Sequence, residues 1–178
     1  MLNENDEFHS SRTFRDHFKR GEELIDFDEA CIEIRAQHDR FVEIVGREPD
    51  YFEAHAVMSK NLNRAISAVA QELGLKEQKA SFDPAAVVHC GDTDLRMVMR
   101  SMEPGYEPKE AIMQTVRGMV DGETVVFVCH PGYLDRFILE NSSLTTDRTK
   151  EVDALIDPEL RAWLESQSDL RLIDYRDL

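Results

Sequence analysis

Two long amphipathic segments stand out in the pattern of apolar and polar positions along the chain. "IDFDEACIEIRAQHDRFVEIVG" places apolar residues at helical spacing and predicts a helix from about Phe27 to Val45. Asp26 or Asp28 can cap its first turn, and Gly46 suits the position after its end. "KNLNRAISAVAQELGL" predicts a second helix, which stops at Gly74. Further helices are predicted from near Pro108, over about 147–156 and over 158–167, whereas the lead-in over about residues 1–20 shows no periodicity.

Short apolar runs bounded by turn residues predict strands between these helices. "PDYFEAHAV" predicts a strand that ends near His55, and "AAVVHCGDT" predicts one that ends near His89. "ETVVFVCHPGY" has the strongest strand pattern, from Thr124 to Cys129, and "LRLIDYRDL" predicts a closing strand. The segment "RSMEPGYEP" has the composition of a mobile loop. Alternating strands and helices indicate an α/β fold around a mostly parallel sheet, with Thr124–Cys129 in its middle.

Three histidines lie at the predicted C-terminal ends of strands. Because ligands bind at these ends in parallel α/β sheets, we expect His55, His89 and His130 to face one site. Neutral imidazole binds divalent metals, and its pKa of ~6.5 also suits it to proton transfer. A single strand-end histidine is more often structural, so the hypothesis depends on the set. The other histidines, which are His9, His17 and His38, have no such setting and are predicted to lie on the surface.

The strand before His130 ends abruptly at a turn. Pro131 and Gly132 break regular structure at once, which would leave the imidazole uncovered, although a plain turn is the alternative. Cys129 is the preceding residue and could suggest a nucleophile and base pair. Neighbouring side chains of a strand point to opposite faces, so the two cannot share a site, and we reject that mechanism.

Acidic residues outnumber basic residues by 36 to 21 and give a formal net charge of -15. This negative field repels phosphate backbones and anionic lipid, so we expect neither nucleic acid nor a membrane as a partner. Asp92 and Asp94 follow His89 and could bind or support a metal, but a solvated loop is the favoured interpretation. No Gly-rich phosphate loop, nucleophile elbow or HExxH motif is present.

The cysteines and the apolar runs indicate the cellular setting. The three cysteines are irregularly spaced and include no CxxC pair, which argues against a disulfide framework or a zinc ribbon. No apolar run approaches the ~20 residues that span a bilayer. The N-terminus "MLNENDEFHSS" lacks the pattern of a signal peptide, so a cytoplasmic location is expected.

Several motifs together resemble a known family. "VCHPGYLDRFILENSSLTTDRTKEVDAL" contains an HPGY segment followed by Ser142, Arg148 and Glu151, with Val152 where the family has Leu. "EIRAQHDRFVEIVGREPDYFEAHAV" is similar to a helix of the form E-x-x-AQ-x-x-RF that leads into a histidine-containing strand. "NENDEFHSSRTF" is similar to a D-x-x-G-x-F connection. Over most of its length the chain therefore resembles the YdjC-like carbohydrate deacetylases, the family of chitooligosaccharide deacetylase.

The resemblance implies a fold, a reaction and residue roles. The fold would be α/β, an incomplete (β/α) barrel-like deacetylase fold with mostly parallel strands. The reaction would be metal-dependent hydrolysis that removes the acetyl group from an N-acetylated sugar, with magnesium or zinc as the divalent metal. His55 maps onto a metal ligand of the family and His130 onto the general acid toward the leaving amine. Arg148 is expected to hold the loop after His130.

The chain departs from the family in its metal-binding motifs. No Asp-Asp-Phe-Gly and no Gly-x-His-Leu occurs in the 178 residues, and the usual His-x-His-x-His is "HAVMS" from His55 to Ser59. The expected base and two metal ligands are therefore missing from this sequence, which is expected to be either part of a hydrolase or a truncated relative that has lost catalysis. We expect residues 1–178 to form a single domain that corresponds to the C-terminal two-thirds of a deacetylase domain. An incomplete barrel exposes a sheet edge, so a homo-oligomer is expected. The alternative function is a non-catalytic sugar-binding or assembly protein that retains only the scaffold.

Overall fold

The computed structural model of the chain describes residues 1–55, 57–78 and 87–178. Helices and strands alternate along most of these residues, as the sequence pattern predicts. The helices are α1 (Ser11–Lys19), α2 (Phe27–Val45), α3 (Lys60–Leu73), α4 (Pro108–Arg117), α5 (Arg136–Asn141), α6 (Thr146–Leu155) and α7 (Pro158–Glu165). The strands are β1 (Tyr51–Glu53), β2 (Lys76–Gln78), β3 (Val87–Cys90), β4 (Thr93–Val98) and β5 (Thr124–Phe127).

Helix α2 shows how local sequence sets the helix bounds. The side chain of Asp26 accepts hydrogen bonds from the backbone N–H groups of Asp28 and Glu29, which would otherwise lack partners. At the other end, Gly46 adopts a left-handed conformation with φ of 75° and donates its N–H to the carbonyl of Val42. The predicted bounds of this helix are confirmed.

Two short helices were not predicted. Helix α1 lies in the lead-in that we expected to be irregular, where Ser10 caps it and Phe14 is its one buried residue. Helix α5 is capped by Asp135 and buries none of its residues. Helix α1 is strongly amphipathic, so its pattern and its Ser10 cap could both have indicated it, whereas the six residues of α5 are too few to show a period and only its cap could have done so.

The strands follow one another in the sheet in the order β1-β2-β3-β4-β5. Strands β1 and β2 are parallel, and so are β4 and β5, in which Val98 lies opposite Phe127. Strand β3 runs antiparallel to β2, with Cys90 opposite Gln78. The sheet is thus mixed and mostly parallel among the pairs described here. Strand β5 is last in this order, so the expectation that it lies in the middle of the sheet is wrong.

The chain end differs from the predicted closing strand. Residues 170–178 form no strand, although "LRLIDYRDL" has an apolar pattern. Tyr175 instead stacks on Tyr51 of β1 with ring centroids 3.8 Å apart, and its hydroxyl donates to the side chain of Gln78. These side-chain contacts, together with hydrogen bonds from the Lys76 ammonium to the carbonyls of Tyr175 and Leu178, attach the chain end without strand pairing.

The chain divides into two compact units. Unit 1 comprises residues 1–82, 88–93 and 174–178, and unit 2 comprises residues 83–87 and 94–173. In unit 1, α2 packs against α3 over a buried cluster made of Phe14, Ile25, Ala30, Cys31, Ala65 and Val69. Burying a large apolar side chain of this kind contributes roughly 1.5–3 kcal/mol. In unit 2, α6 packs against α4 and α7. The single domain expected from the sequence stays a prediction.

Within the described ranges, no helix has the length and apolar character needed to cross a membrane.

Candidate active site around His130

The parallel pair of β4 and β5 leads directly to His130. Beyond the end of β5, the N–H of Val128 donates to the carbonyl of Val98 at 2.7 Å and continues the pairing by one residue. His130 lies three residues past Phe127, the last residue of β5, and is half-buried. The sequence predicted the strand to reach Cys129, so the histidine stands on an irregular segment after the strand and needs other groups to fix it.

Helix α6 supplies those groups. The carboxyl Oε2 of Glu151 accepts a hydrogen bond from the backbone N–H of His130 at 2.5 Å. The Nη1 of Arg148 donates to the backbone carbonyl of His130 at 3.3 Å. Because Arg148 and Glu151 are three residues apart on one helix, both side chains project from the same face. Together they hold the donor and the acceptor of the His130 backbone, an arrangement that we call the backbone clamp.

Glu151 is a fully buried carboxyl group with a partner on each oxygen. None of its surface is exposed, and Oε1 accepts from the hydroxyl of Tyr106 at 3.0 Å while Oε2 takes the His130 N–H. Burial raises the pKa of Tyr106 far above its ordinary value, and the hydrogen bond to Glu151 raises it further. The phenol therefore stays protonated and remains a hydrogen-bond donor at neutral pH.

The imidazole of His130 has a buried neighbour of its own. Ser101 Oγ lies 3.3 Å from Nδ1, and Ser101 is only 1% exposed. Both Ser101 and Tyr106 belong to the segment between β4 and α4 that we expected to be a mobile loop. The segment is a loop, as expected, and its mobility stays a prediction, but the side chains of Ser101 and Tyr106 are buried and both reach the His130 site.

Cys129 is poorly suited to act as a nucleophile. Burial raises the pKa of its thiol to about 11, and the nearby charge of Glu151 contributes to the rise. The thiolate, which is the reactive form, is therefore scarce at neutral pH. This environment agrees with the rejection of a Cys-His pair on sequence grounds.

His55 lies in unit 1, on an irregular segment of the chain. Strand β1 ends at Glu53, so His55 comes two residues after it and is exposed. It lines a cleft of about 630 Å³ that α2, β1 and α3 form. The polar residues of this cleft are Glu33, Gln37, His38, Asp50, Glu53 and His55.

His89 does not end a parallel strand as the sequence predicted, whereas Asp92 lies in an exposed turn, as the favoured interpretation of its sequence predicted. His89 is an exposed residue within β3, and β3 runs antiparallel to β2, so it does not end a parallel strand. Asp92 is exposed in the turn that joins β3 to β4. The first residues of that predicted strand, 85 and 86, lie outside the described residues. The described residues contain no group of three His, Cys, Asp or Glu side chains that could hold a metal ion.

The comparison with known families gives the chain its identity. A family model described as YdjC-like protein matches residues 1–166. The chain belongs to the YdjC-like family.

Curated YdjC-like relatives are named for deacetylation. Carbohydrate deacetylase 2 of Listeria innocua is 27% identical over 85% of this chain and 60% of its own length. Chitooligosaccharide deacetylase of Klebsiella pneumoniae is 28% identical over 88% of this chain and 64% of its own length. This YdjC-like chain therefore spans about three fifths of the length of the curated relatives that it matches.

A solved structure shows the same fold. It comes from Enterococcus faecalis V583, its name assigns it provisionally to cellobiose-phosphate cleavage, and it superposes with a TM-score of 0.74 at 20% identity. The match covers 99% of this chain and 67% of the other. The predicted fold class is confirmed, an α/β fold with an incomplete barrel-like sheet of mostly parallel strands.

The structure shows what the YdjC-like pattern of Ser142, Arg148 and Glu151 does. Ser142 Oγ accepts from the N–H of Leu144 at 3.2 Å and donates to its carbonyl at 2.9 Å. Arg148 Nε donates to that same carbonyl at 2.9 Å, and its Nη1 reaches His130. All three motif residues therefore brace the chain around His130. Sequence reasoning matched Glu151 to the motif but gave it no role, and it missed Ser101 and Tyr106 altogether.

His38 is not the surface residue that the sequence predicted. Its side chain is only 10% exposed, with Nε2 2.6 Å from a carboxyl oxygen of Glu48 and Nδ1 3.1 Å from one of Asp39. The hydrogen bond with Glu48, followed by the bond with Asp39, raises the pKa of His38 above its ordinary value. This histidine belongs to the wall of the cleft in unit 1.

The His38 pair predicts a pH-dependent contribution to stability. Because the folded pKa is raised, the contribution is complete below the unfolded pKa and is lost as pH rises through the folded pKa. His38→Gln should lower the free energy of unfolding by up to about 1 kcal/mol at pH 5.5, since both carboxylates are solvent-exposed, and by less at pH 9. Urea unfolding of both proteins at the two pH values measures this difference. Gln37→Ala is the matched control, and an equal loss at both pH values would contradict the ion-pair explanation.

Proposed function

We propose that this chain takes part in hydrolysis of the acetamide group of an N-acetylated sugar or oligosaccharide, with His130 as the general acid. The names of the curated relatives support the choice of reaction and substrate class. The net charge of -15 also suits a neutral saccharide better than an anionic polymer. The observation that carries the proposal is the backbone clamp, which places a half-buried imidazole on an otherwise irregular segment.

The proposed reaction has a clear place for the proton of His130. Water adds its oxygen to the acetyl carbonyl carbon, and the C–N bond of the resulting tetrahedral intermediate then breaks. The nitrogen must gain a proton as it leaves, because an amide anion is a very poor leaving group. His130 in its imidazolium form gives that proton and becomes neutral. The proton lost by the attacking water passes to solvent, from which His130 is reprotonated, so that the products are acetate and the free amine.

Rigid placement is what such an acid requires. Proton transfer needs the donor within hydrogen-bond reach of the leaving nitrogen, and small displacements cost much of the rate. A side chain on an irregular segment would ordinarily sample several positions. The hydrogen bonds with Arg148 and Glu151 restrain both polar groups of the His130 backbone, so the backbone from which the imidazole projects is held in place.

The experiment that tests the function follows both products. The 178-residue chain is incubated with N-acetylglucosamine oligomers, with and without added magnesium or zinc, and acetate and free amine are quantified. Equal amounts of the two products support the proposal. Saccharide binding without release of acetate would instead support the non-catalytic sugar-binding alternative.

We also propose that His55 is a ligand for the divalent metal, magnesium or zinc, that the family resemblance implies. The described residues alone do not assemble three ligands, so we derive no step of the reaction through a metal. A single exposed imidazole at the edge of the unit 1 cleft has little affinity by itself, because proteins hold zinc with three or four ligands.

His55 as a single proposed ligand predicts weak metal binding. Calorimetric titration with zinc at neutral pH should show weak binding or none, and His55→Ala should remove what is present. His89→Ala is the matched control and should leave the titration unchanged. Tight stoichiometric zinc binding that survives His55→Ala would contradict the assignment and would direct attention to His89 and Asp92.

A further inference from the structure

The backbone clamp leaves one freedom of His130 unaccounted for. Glu151 and Arg148 hold the backbone N–H and carbonyl, and these two backbone bonds do not by themselves set the rotation of the imidazole about its two side-chain bonds. General acid catalysis depends on which ring nitrogen faces the substrate. A group that acts on the ring itself is therefore needed in addition to the clamp.

Ser101 contacts the ring. Its Oγ lies 3.3 Å from Nδ1, although the two residues are 29 positions apart in the chain. Ser101 is 1% exposed, and a hydroxyl buried to that extent requires a hydrogen-bond partner. A serine hydroxyl can accept from a ring N–H as readily as it can donate, so it suits an imidazole that is protonated at Nδ1.

Ser101 is itself held in place through the clamp. Five residues further along the same segment, Tyr106 donates its hydroxyl to Glu151, the residue that also binds the His130 backbone. The backbone carbonyl of Tyr106 accepts from the Lys150 ammonium at 3.0 Å. The segment that carries Ser101 is thus bonded to helix α6, which also positions His130. These bonds fix the position of the Ser101 hydroxyl relative to the His130 ring.

We propose that Ser101 is a positioning residue that holds Nδ1 of His130 and thereby makes Nε2 the nitrogen that delivers the proton. This inference rests on the proposed function of His130. In the imidazolium form, Nδ1–H donates to Ser101 and Nε2–H faces the leaving amine. After transfer from Nε2, the neutral ring keeps its hydrogen on Nδ1, which is the tautomer that the serine oxygen accepts. The bond therefore persists through the step, and the ring does not need to turn.

The first test reads the tautomer directly and needs no catalytic activity. Nitrogen-15 NMR of the 178-residue chain, with the His130 signals assigned by their loss in His130→Ala, reports which ring nitrogen carries hydrogen in the neutral form. We expect the Nδ1–H tautomer in the wild type and a shift toward the Nε2–H tautomer in Ser101→Ala. The exposed Ser143→Ala is the matched control and should match the wild type. An Nε2–H tautomer in the wild type would overturn the proposal even if Ser101→Ala did not fold.

The second test reads catalysis. Ser101→Ala should lower kcat on N-acetylglucosamine oligomers by about tenfold and change KM little, because the ring is misoriented while saccharide contacts remain. Unchanged kcat and an unchanged tautomer in a folded Ser101→Ala protein would overturn the proposal. If the wild type shows the Nδ1–H tautomer and Ser101→Ala loses it while neither protein releases acetate, the deacetylase function fails and the control of the ring by Ser101 stands.

Discussion

Replacing His130 with alanine should lower the deacetylation of N-acetylglucosamine oligomers by at least about a hundredfold, because a general acid contributes roughly 10²–10⁴-fold to rate. Without the imidazole, the leaving nitrogen must take its proton from water, which is neither fixed nor a comparably strong acid at neutral pH. The loss should fall mainly on kcat, since the proton moves only in the transition state.

The same variant should fold normally. The clamp binds the backbone N–H and carbonyl of residue 130, which alanine retains, so the bonds with Glu151 and Arg148 remain. The ring is only half-buried, and its removal should cost about 1 kcal/mol, the usual effect of a substitution at such a site. Zinc titration should likewise be unchanged, because His130 is not the proposed ligand.

Kinetics and denaturant unfolding on the same preparation separate a catalytic role from a structural one. His17→Ala is the matched control, since His17 lies on α1 in unit 1 and pairs only with Glu22 among the contacts described. That control should keep the wild-type rate. A His130→Ala protein that unfolds readily but keeps its specific activity would show that His130 is a structural residue.

The longest helices could be predicted because their local signals agree. Helices α2 and α3 combine an apolar face, a side-chain cap and a glycine in left-handed conformation, at Gly46 and Gly74. Strands β2 and β4 have no such agreement. The three residues of β2 are all polar, and β4 carries Asp94 and Arg96 beside its buried Leu95. Their pairing within the sheet, rather than their composition, makes these segments strands.

The sequence pointed to His130 and to its support by Arg148, but it gave no signal for the contacts of Ser101 and Tyr106. His130 stands in a recognisable motif. Ser101 contacts His130 from 29 positions away in the chain, and Tyr106 contacts Glu151 from 45 positions away. No periodicity links such positions. The composition of "RSMEPGYEP" favoured a mobile loop, since proline, glycine and charged residues also occur in exposed turns. Only the tertiary structure shows that its serine and its tyrosine are buried.

Removing the carboxyl group of Glu151 should have the largest effect on stability. Glu151→Ala should lower the free energy of unfolding by about 3–5 kcal/mol, because one buried and one part-buried donor lose their partner and the side chain leaves a cavity. The donors are the Tyr106 hydroxyl and the His130 N–H, and Glu151 itself has no exposed surface. Each unsatisfied buried donor costs about 1–3 kcal/mol, which accounts for most of the expected loss.

Chemical unfolding of the wild type and four variants tests this account of Glu151. Glu159→Ala is the matched control on the neighbouring helix, where the side chain is exposed and pairs with Lys109, and it should change stability by no more than about 0.5 kcal/mol. Tyr106→Phe removes one of the two donors and should cost about 1–3 kcal/mol. In the Glu151→Ala/Tyr106→Phe double variant, the loss of stability should be smaller than the sum of the two single losses. Glu151→Ala alone leaves the Tyr106 hydroxyl without a partner, and the double variant no longer has that hydroxyl. A fully additive double variant, or a Glu151→Ala protein as stable as the wild type, would mean that the buried carboxyl group does not hold the His130 segment. The function proposed for that histidine would then lose its structural support.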